Sequence, residues 1–298
     1  MTEPTAPLIT STQNPKIKRL LALQEKSSER RKSGLFVVEG RRELQHCIAA
    51  GYEVESVFVR PLSNSPRGGE DALSPSIKDA IGFAALPPTG GAGRGAVYYV
   101  SAHVYERIAY RGSTEGIVAI VKAQHLTLEN IGCAALPPTG GAGSGALFIV
   151  LERVEKPGNL GAVLRSADAA GATAVIICDP LTDLYNPNLI RASIGACFTV
   201  PMVACTSEEC IAFFKQHGIR ILTAQLQDSE LYYDTGMTGP TAIVMGTEST
   251  GLTDQWRQAA DAHIRIPMLG QLDSLNVSVS AAILLFEAVR QRSEWHTP

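Results

Sequence analysis

The sequence predicts an α/β protein in two parts: a small α/β unit, then a larger domain built on a parallel sheet. Three observations carry this. A chain of 298 residues, 45% hydrophobic and 18% charged, has the length and balance for one or two domains that each bury a core. In the C-terminal half, LFIVLE, AVIICD and TAIVMG are apolar almost throughout, as strands covered on both faces are. Stretches of helical period separate them, the pattern of a doubly covered parallel sheet.

Taken in order, NPKIKRLLALQEK reads as a helix through Ile17, Leu20, Leu21 and Leu23. LFVVE, RRELQHCIAA, VESVFVR, a Pro/Gly/Ser-rich loop at 61–76, VYYVS, HVYERIAY and GIVAIVKA follow, so residues 1–123 form the first domain. Residues 124–146 read as a linker, and 147–298 as the second domain. There LFIVLE leads into NLGAVLRSADAAG, AVIICD into NPNLIRASIGAC, and TVPMVAC into SEECIAFFKQHG. RILTAQL, TAIVMG, HIRIP and a long terminal helix, SLNVSVSAAILLFEAVRQR, complete it. Ligands of such sheets bind beyond the carboxyl ends of the strands, so chemistry is sought after RILTAQL, TAIVMG and HIRIP.

ALPPTGGAG occurs twice, and Ile81–Ala96 matches Ile131–Ala146 at 14 of 16 positions. A phosphate-binding loop needs its glycines between a strand and a helix N-terminus. Both copies instead lead into strand-like runs, VYYV and LFIV, and the chain has no GxGxxG or GxxxxGK[ST]. They read as tolerated surface inserts, one at about 82–95 and one in the linker.

Net charge is −3, but Asn14–Arg42 carries nine Lys/Arg against three Glu, a local +6. A basic arm on an acidic protein fits one face meeting a polyanion, or a solvated amphipathic helix. No apolar run reaches the ~20 residues of a membrane helix, and the polar start is no signal peptide. The six cysteines form no CxxC pair and read as reduced, buried thiols of a cytosolic protein; no metal is expected.

Three segments concentrate polar residues. In EKPGNLGAVLRSADAAGA, Asn159 is a candidate N-cap, Gly171 a candidate stop, and Leu160, Val163, Leu164 and Ala167 a buried stripe. Arg165 lies about 150° from that stripe and faces solvent or a ligand. In AIVMGTESTGL an apolar strand ends at Gly246, with Glu248 in the following turn before Gly251. In IRIPMLGQLDSLNVSVSAAILLFEAVRQR, Leu275, Val279, Ile283, Phe286 and Val289 read as the apolar helix face, with Ser274 and Asn276 in the first turn.

Together NLGAVLRSADAAGA, GTESTGL and IPMLGQLDSLNVSVSAAILLFE, in that order, resemble the SpoU/TrmH family of RNA 2'-O-ribose methyltransferases, of the SPOUT class. ITSTQNPKIKRLLAL, GLFVVEGRREL and RGSTEGIVAIV resemble its N-terminal substrate-binding domain. Ser249-Thr250 departs from the Gly-Lys common in relatives, and the two inserts have no counterpart. The resemblance implies a C-terminal trefoil knot, a homodimer formed through the methyltransferase domain, and S-adenosyl-L-methionine as cofactor. Its match places Gly246, Ile266 and Leu275 at the cofactor, with Ala224 and Met268 as neighbours. It places Asn159, Arg165, Glu248, Ser274 and Asn276 at catalytic positions, Arg165 on the ribose and its phosphate. Arg30, Arg31, Lys32, Arg41 and Arg42 then hold RNA. The implied activity is ribose methylation in the cytoplasm, on ribosomal RNA. Transfer RNA is the alternative substrate, and a non-catalytic RNA-binding or ribosome-assembly factor on the same scaffold the alternative class.

Overall fold

The computed structural model describes residues 8–60, 96–110, 116–135, 145–247, 249–272 and 274–292. Apart from Ala135, both ALPPTGGAG copies lie outside these residues, as does Glu248. By Cα proximity the chain divides into two units. One is Met1–Gln124 with Leu184–Arg191, the other His125–Asp183 with Ala192–Pro298.

The first unit runs β1 (Leu8–Ile9), α1 (Pro15–Glu25), α2 (Ser27–Ser33), β2 (Leu35–Glu39), α3 (Arg41–Ala49), β3 (Val54–Val59), β4 (Ala96–Val100), α4 (Ala102–Ile108) and β5 (Ile117–Lys122). Its five strands are ordered β1-β4-β3-β5-β2. β4 runs parallel to β1 and β3, while β5 is antiparallel to β2 and β3. Asn14 starts α1 by accepting from the Lys16 amide at 2.9 Å, with Pro15 at the first helical position, where its missing N–H costs nothing. Ile17, Leu20 and Leu23 then pack into one core with Phe58, Val118 and Ile120.

The basic arm is not uniformly available. Arg30 is 5% exposed, and its guanidinium donates to the carbonyls of Leu23 at 2.6 Å and Gln24 at 3.1 Å. These carbonyls lie in the last turn of α1, where helical partners have run out, so Arg30 acts as a structural clasp. Its expected role in holding RNA is corrected accordingly. Arg31, Lys32 and Arg42 are exposed and Arg41 is half-buried.

The second unit begins within the expected linker. Leu126 bridges to Val203, and α5 (Leu128–Ala135) buries Leu128 and Ile131 in the same core as Phe148 and Val203. Leu126, just ahead of the helix, with Leu128 and Ile131 within it, docks this short segment, while the proline- and glycine-rich stretch beside it hid the pattern. Thereafter the chain runs β6 (Leu147–Glu152), α6 (Pro157–Ala169), β7 (Ala174–Cys178), α7 (Pro187–Ser193, whose residues up to Arg191 group with the first unit), α8 (Ala196–Thr199), β8 (Met202–Cys205), α9 (Ser207–Gln216), β9 (Arg220–Ala224), β10 (Glu230–Leu231), β11 (Thr241–Met245), α10 (Asp254–Ala259), β12 (Ala262–Arg265) and α11 (Val277–Arg292). The seven strands pair in parallel, in the order β10-β12-β9-β11-β6-β7-β8.

α11 turns a different face inward from the one expected. Val277, Ala281, Leu284, Leu285 and Ala288 are buried, whereas Val279 is 47% and Phe286 48% exposed. The helix is apolar nearly all round, so periodicity admits two phases and packing against α6 selects the one with the smaller residues. Its C-terminal end is fastened by Arg292. That guanidinium donates to the carbonyls of Gly145 (2.6 Å), Gly239 (2.7 Å) and Met237 (2.8 Å), and burial pulls its pKa below the ordinary value.

Removing this guanidinium leaves several partly buried carbonyls without a donor. Arg292→Ala is therefore expected to lower unfolding stability by about 2–4 kcal/mol, with Arg292→Lys recovering part of it, as read from urea unfolding followed by circular dichroism.

Candidate active site

The parallel sheet delivers its candidate residues to one edge. β12, β9, β11 and β6 are successive neighbours, and their carboxyl ends lead to Ile266, Ala224, Gly246 and the loop before Asn159 respectively. Ala224 pairs with Ile264, and Gln225 donates its amide to the Ile264 carbonyl at 3.0 Å, which holds these ends level. Ala224, Gly246, Ile266 and Met268 are all half-buried. Leu275 is 38% exposed, at the far end of the loop that runs from β12 to α11.

The turn after β11 is tight. Gly251 donates its amide to the Thr247 carbonyl at 3.0 Å, and Thr250 donates to the Thr247 hydroxyl at 3.1 Å. A Cβ on Gly246 would overlap the Gly251 backbone, and Gly251 itself sits at φ +68°. Both glycines are demanded by the turn, one for space and one for conformation. Glu248, next after Thr247 in sequence, lies outside the described residues.

One positioning residue escaped the sequence reading. Glu152, buried at the end of β6, accepts from the Thr253 amide at 2.9 Å and the Thr253 hydroxyl at 2.6 Å. It fixes the exit of the turn and the start of α10 to the strand beside β11. The available signal was a lone carboxylate closing an otherwise apolar strand.

The helix that follows β6 starts earlier than expected. Its cap position is Lys156, with Pro157 at the first turn, so Asn159 lies inside α6 rather than capping it. The Asn159 side chain is thereby released to meet Asn276, whose Nδ2 donates to Asn159 Oδ1 at 3.1 Å. Asn276 in turn starts α11. Its Oδ1 accepts from the Ser278 amide at 2.9 Å and the Ser278 hydroxyl at 2.6 Å. Ser274 precedes α11 rather than lying in its first turn, and is exposed. The α6 stripe buries Leu160, Val163, Leu164 and Ala167 as expected, and Gly171 follows the helix at φ +62°. Arg165 is exposed, six residues beyond Asn159, hence about 9 Å along α6 and about 120° around it. The chain thus joins Asn159 and Asn276 directly, whereas Arg165 stands apart from that pair.

Both parts of the chain resemble known proteins. The model of the SpoU rRNA methylase family matches residues 146–286, and that of the MRM3-like substrate binding domain matches residues 14–119. A 23S rRNA (guanosine-2'-O-)-methyltransferase of Pseudomonas syringae is 41% identical over 152 residues, 50% of this chain and 60% of that protein. The crystal structure of an RNA 2'-O ribose methyltransferase is 37% identical, with a TM-score of 0.73 over 96% of this chain and 99% of the other. An AdoMet-bound rRNA methyltransferase from Sinorhizobium meliloti is 26% identical, with a TM-score of 0.80 over 96% and 98%. The chain belongs to the SpoU rRNA methylase family. It spans 60% and 58% of the length of its curated relatives from the two Pseudomonas species.

Because backbone occupies the space beside Gly246, Gly246→Ala is expected to displace the 246–251 turn and lower stability by about 1–3 kcal/mol. Gly158→Ala, where a Cβ meets nothing within 4 Å, is the matched control, and denaturant midpoints compare the two.

Proposed function

We propose that the chain is an S-adenosyl-L-methionine-dependent RNA 2'-O-ribose methyltransferase acting in the cytoplasm on ribosomal RNA. The observation that carries this is the convergence of Ala224, Gly246 and Ile266 on three adjacent strand ends, on the same sheet edge that leads to Asn159 and Asn276. Membership of the family and the two-domain likeness to rRNA-modifying enzymes support it. No helix among the described residues is long and apolar enough to cross a membrane.

The residues present fit such a cofactor. Ala224, Ile266, Met268 and Leu275 offer half-covered apolar surface for a purine and a methylene chain, and the glycine turn brings backbone close to it. When bound, the cofactor supplies an electrophilic methyl group. What the chain must add is alignment of a ribose hydroxyl and removal of its proton. Asn159 and Asn276, locked to one another, present amide groups that orient the target nucleotide, and Ser274 stands beside them in sequence. Arg165 offers a planar donor fork to the ribose and its phosphate. A guanidinium offers five N–H donors and no acceptor, so Arg165 is assigned to positioning of charge and not to general-base work. Glu248 keeps its catalytic assignment, to fix Arg165 or the loop.

In the first unit, Arg31, Lys32, Arg41 and Arg42 hold the RNA backbone, a set reduced from the expected five by the burial of Arg30. The exposed face of α11, with Phe286 and Val279, supports a homodimer through the second unit. A sheet in which β11 enters between the earlier strands β6 and β9 supports the family's trefoil knot.

Arg165→Ala is expected to bind S-adenosyl-L-methionine within about threefold of the parent by calorimetry and to lose at least about 100-fold in methyl transfer to ribosomal RNA. Failure of the parent chain to bind the cofactor would turn the reading toward an assembly factor, and methylation of transfer RNA alone would redirect the substrate. Replacing Arg31, Lys32 and Arg42 together by Glu should weaken RNA binding and flatten its log–log salt dependence by about 0.7–0.9 for each phosphate no longer neutralised. An unchanged slope sinks the basic-arm assignment. Phe286→Asp should shift the sedimentation of the full chain from dimer to monomer.

A further inference from the structure

Outside the candidate active site, the carboxyl edge of the same sheet gathers three cysteines. Cys178 and Cys205 end β7 and β8, are paired in register across adjacent parallel strands, and bring their sulfurs to 4.0 Å. Only Thr206 separates β8 from α9, so the chain doubles back at once and places Cys210 in the first turns of that helix. The capping box of Thr206 and Glu209 fixes the helix start, with the Glu209 carboxylate accepting from the Thr206 amide at 2.8 Å. As a result the sulfurs of Cys178, Cys205 and Cys210 all lie within 4.8 Å of one another.

We propose that Cys178, Cys205 and Cys210 bind one soft, thiophilic metal ion, Zn²⁺ by chemical class, through three thiolates. At a metal–sulfur length of about 2.3 Å, sulfurs around a common ion stand about 3.8–4.0 Å apart. The Cys178–Cys205 separation already matches, and the widest pair closes with less than about 1 Å of side-chain movement. A disulfide needs sulfurs at about 2.0 Å and would consume two thiols, leaving the third unexplained. Cys178 and Cys210 are fully buried, whereas Cys205 is partly exposed, so the cluster has one open side through which an ion can arrive and a fourth, non-protein ligand can bind. The carboxylates nearest in the chain have other duties. Asp179 accepts from the Ser207 hydroxyl at 2.6 Å, and Glu209 caps α9. They add negative field without supplying the ligands. Spacings of 27 and 5 residues match no metal motif, which is why the sequence led to the opposite expectation.

The test uses the full chain, reduced and stripped with a chelator, titrated with Cd²⁺ while thiolate-to-metal charge transfer is followed in the near ultraviolet. One saturable equivalent per chain, displaced by Zn²⁺, is expected. Cys205→Ser, altered at the partly exposed position, should bind at least about 10-fold more weakly, since even outer-shell losses cost 10–100-fold. Absence of a saturable band in the parent, or an undiminished one in Cys205→Ser, overturns the proposal. So does a Cys178–Cys205 disulfide forming under mild oxidant in a chain that takes up no Cd²⁺. The parent titration decides by itself, so a poorly folding variant does not shelter the idea.

Discussion

Everything at the candidate site hangs on the parallel placement of β11. Its five residues are buried, and it pairs with β6 on one side and β9 on the other although the chain lays down both before it. A parallel strand needs a crossover to return it to the same direction, so every carboxyl end emerges at one edge. That is why a glycine at 246, an alanine at 224 and an isoleucine at 266 become neighbours despite being spread over some forty residues. Interior strands of this kind are also the hardest to perturb, because each has hydrogen-bonded partners on both sides and apolar cover on both faces.

What the sheet gathers, a second set of contacts then holds still. Glu152 reaches from β6 to Thr253 and so fixes the far end of the turn that begins at Gly246. Asn276 serves two masters: its Oδ1 starts α11, while its Nδ2 ties that start to Asn159. With Oδ1 committed to Ser278 and Nδ2 to Asn159, the amide orientation is fixed by its partners rather than left to rotate. Such mutual restraint is what a site that works by alignment requires, since alignment is lost over about an ångström.

The sequence was legible where one period dominated. The α6 stripe at Leu160, Val163, Leu164 and Ala167 was read correctly because its opposite face is polar, and Gly171 stops the helix by conformation alone. Legibility failed where local rules competed. Asn159 is a good cap, but Pro157 two residues earlier is a better first-turn residue and moved the helix start to Lys156. Arg30 sits among exposed basic residues in sequence, and nothing local reveals that the end of α1 leaves carbonyls in need of a donor. Glu152, Arg292 and the three cysteines act across separations of 101, 147 and up to 32 residues, which no window on the sequence spans.

α11 shows how a helix with two apolar faces is given one inside. Within the second unit its buried face sets two small residues, Ala281 and Ala288, beside Val277, Leu284 and Leu285, where it packs on α6. It also carries one charge, Glu287. That carboxylate accepts from Arg290 at 2.7 and 2.8 Å and from Gln291 at 2.8 Å, and the Arg290 guanidinium holds its pKa below the usual carboxylate range. Gln291 passes the connection on, accepting from the Met237 amide at 2.7 Å and donating to the Thr235 carbonyl at 3.0 Å. Rolling the helix to bury Phe286 and Val279 instead would expose the alanines and strand this network without its partners. Phe286 and Val279 are therefore kept outward by the polar residues.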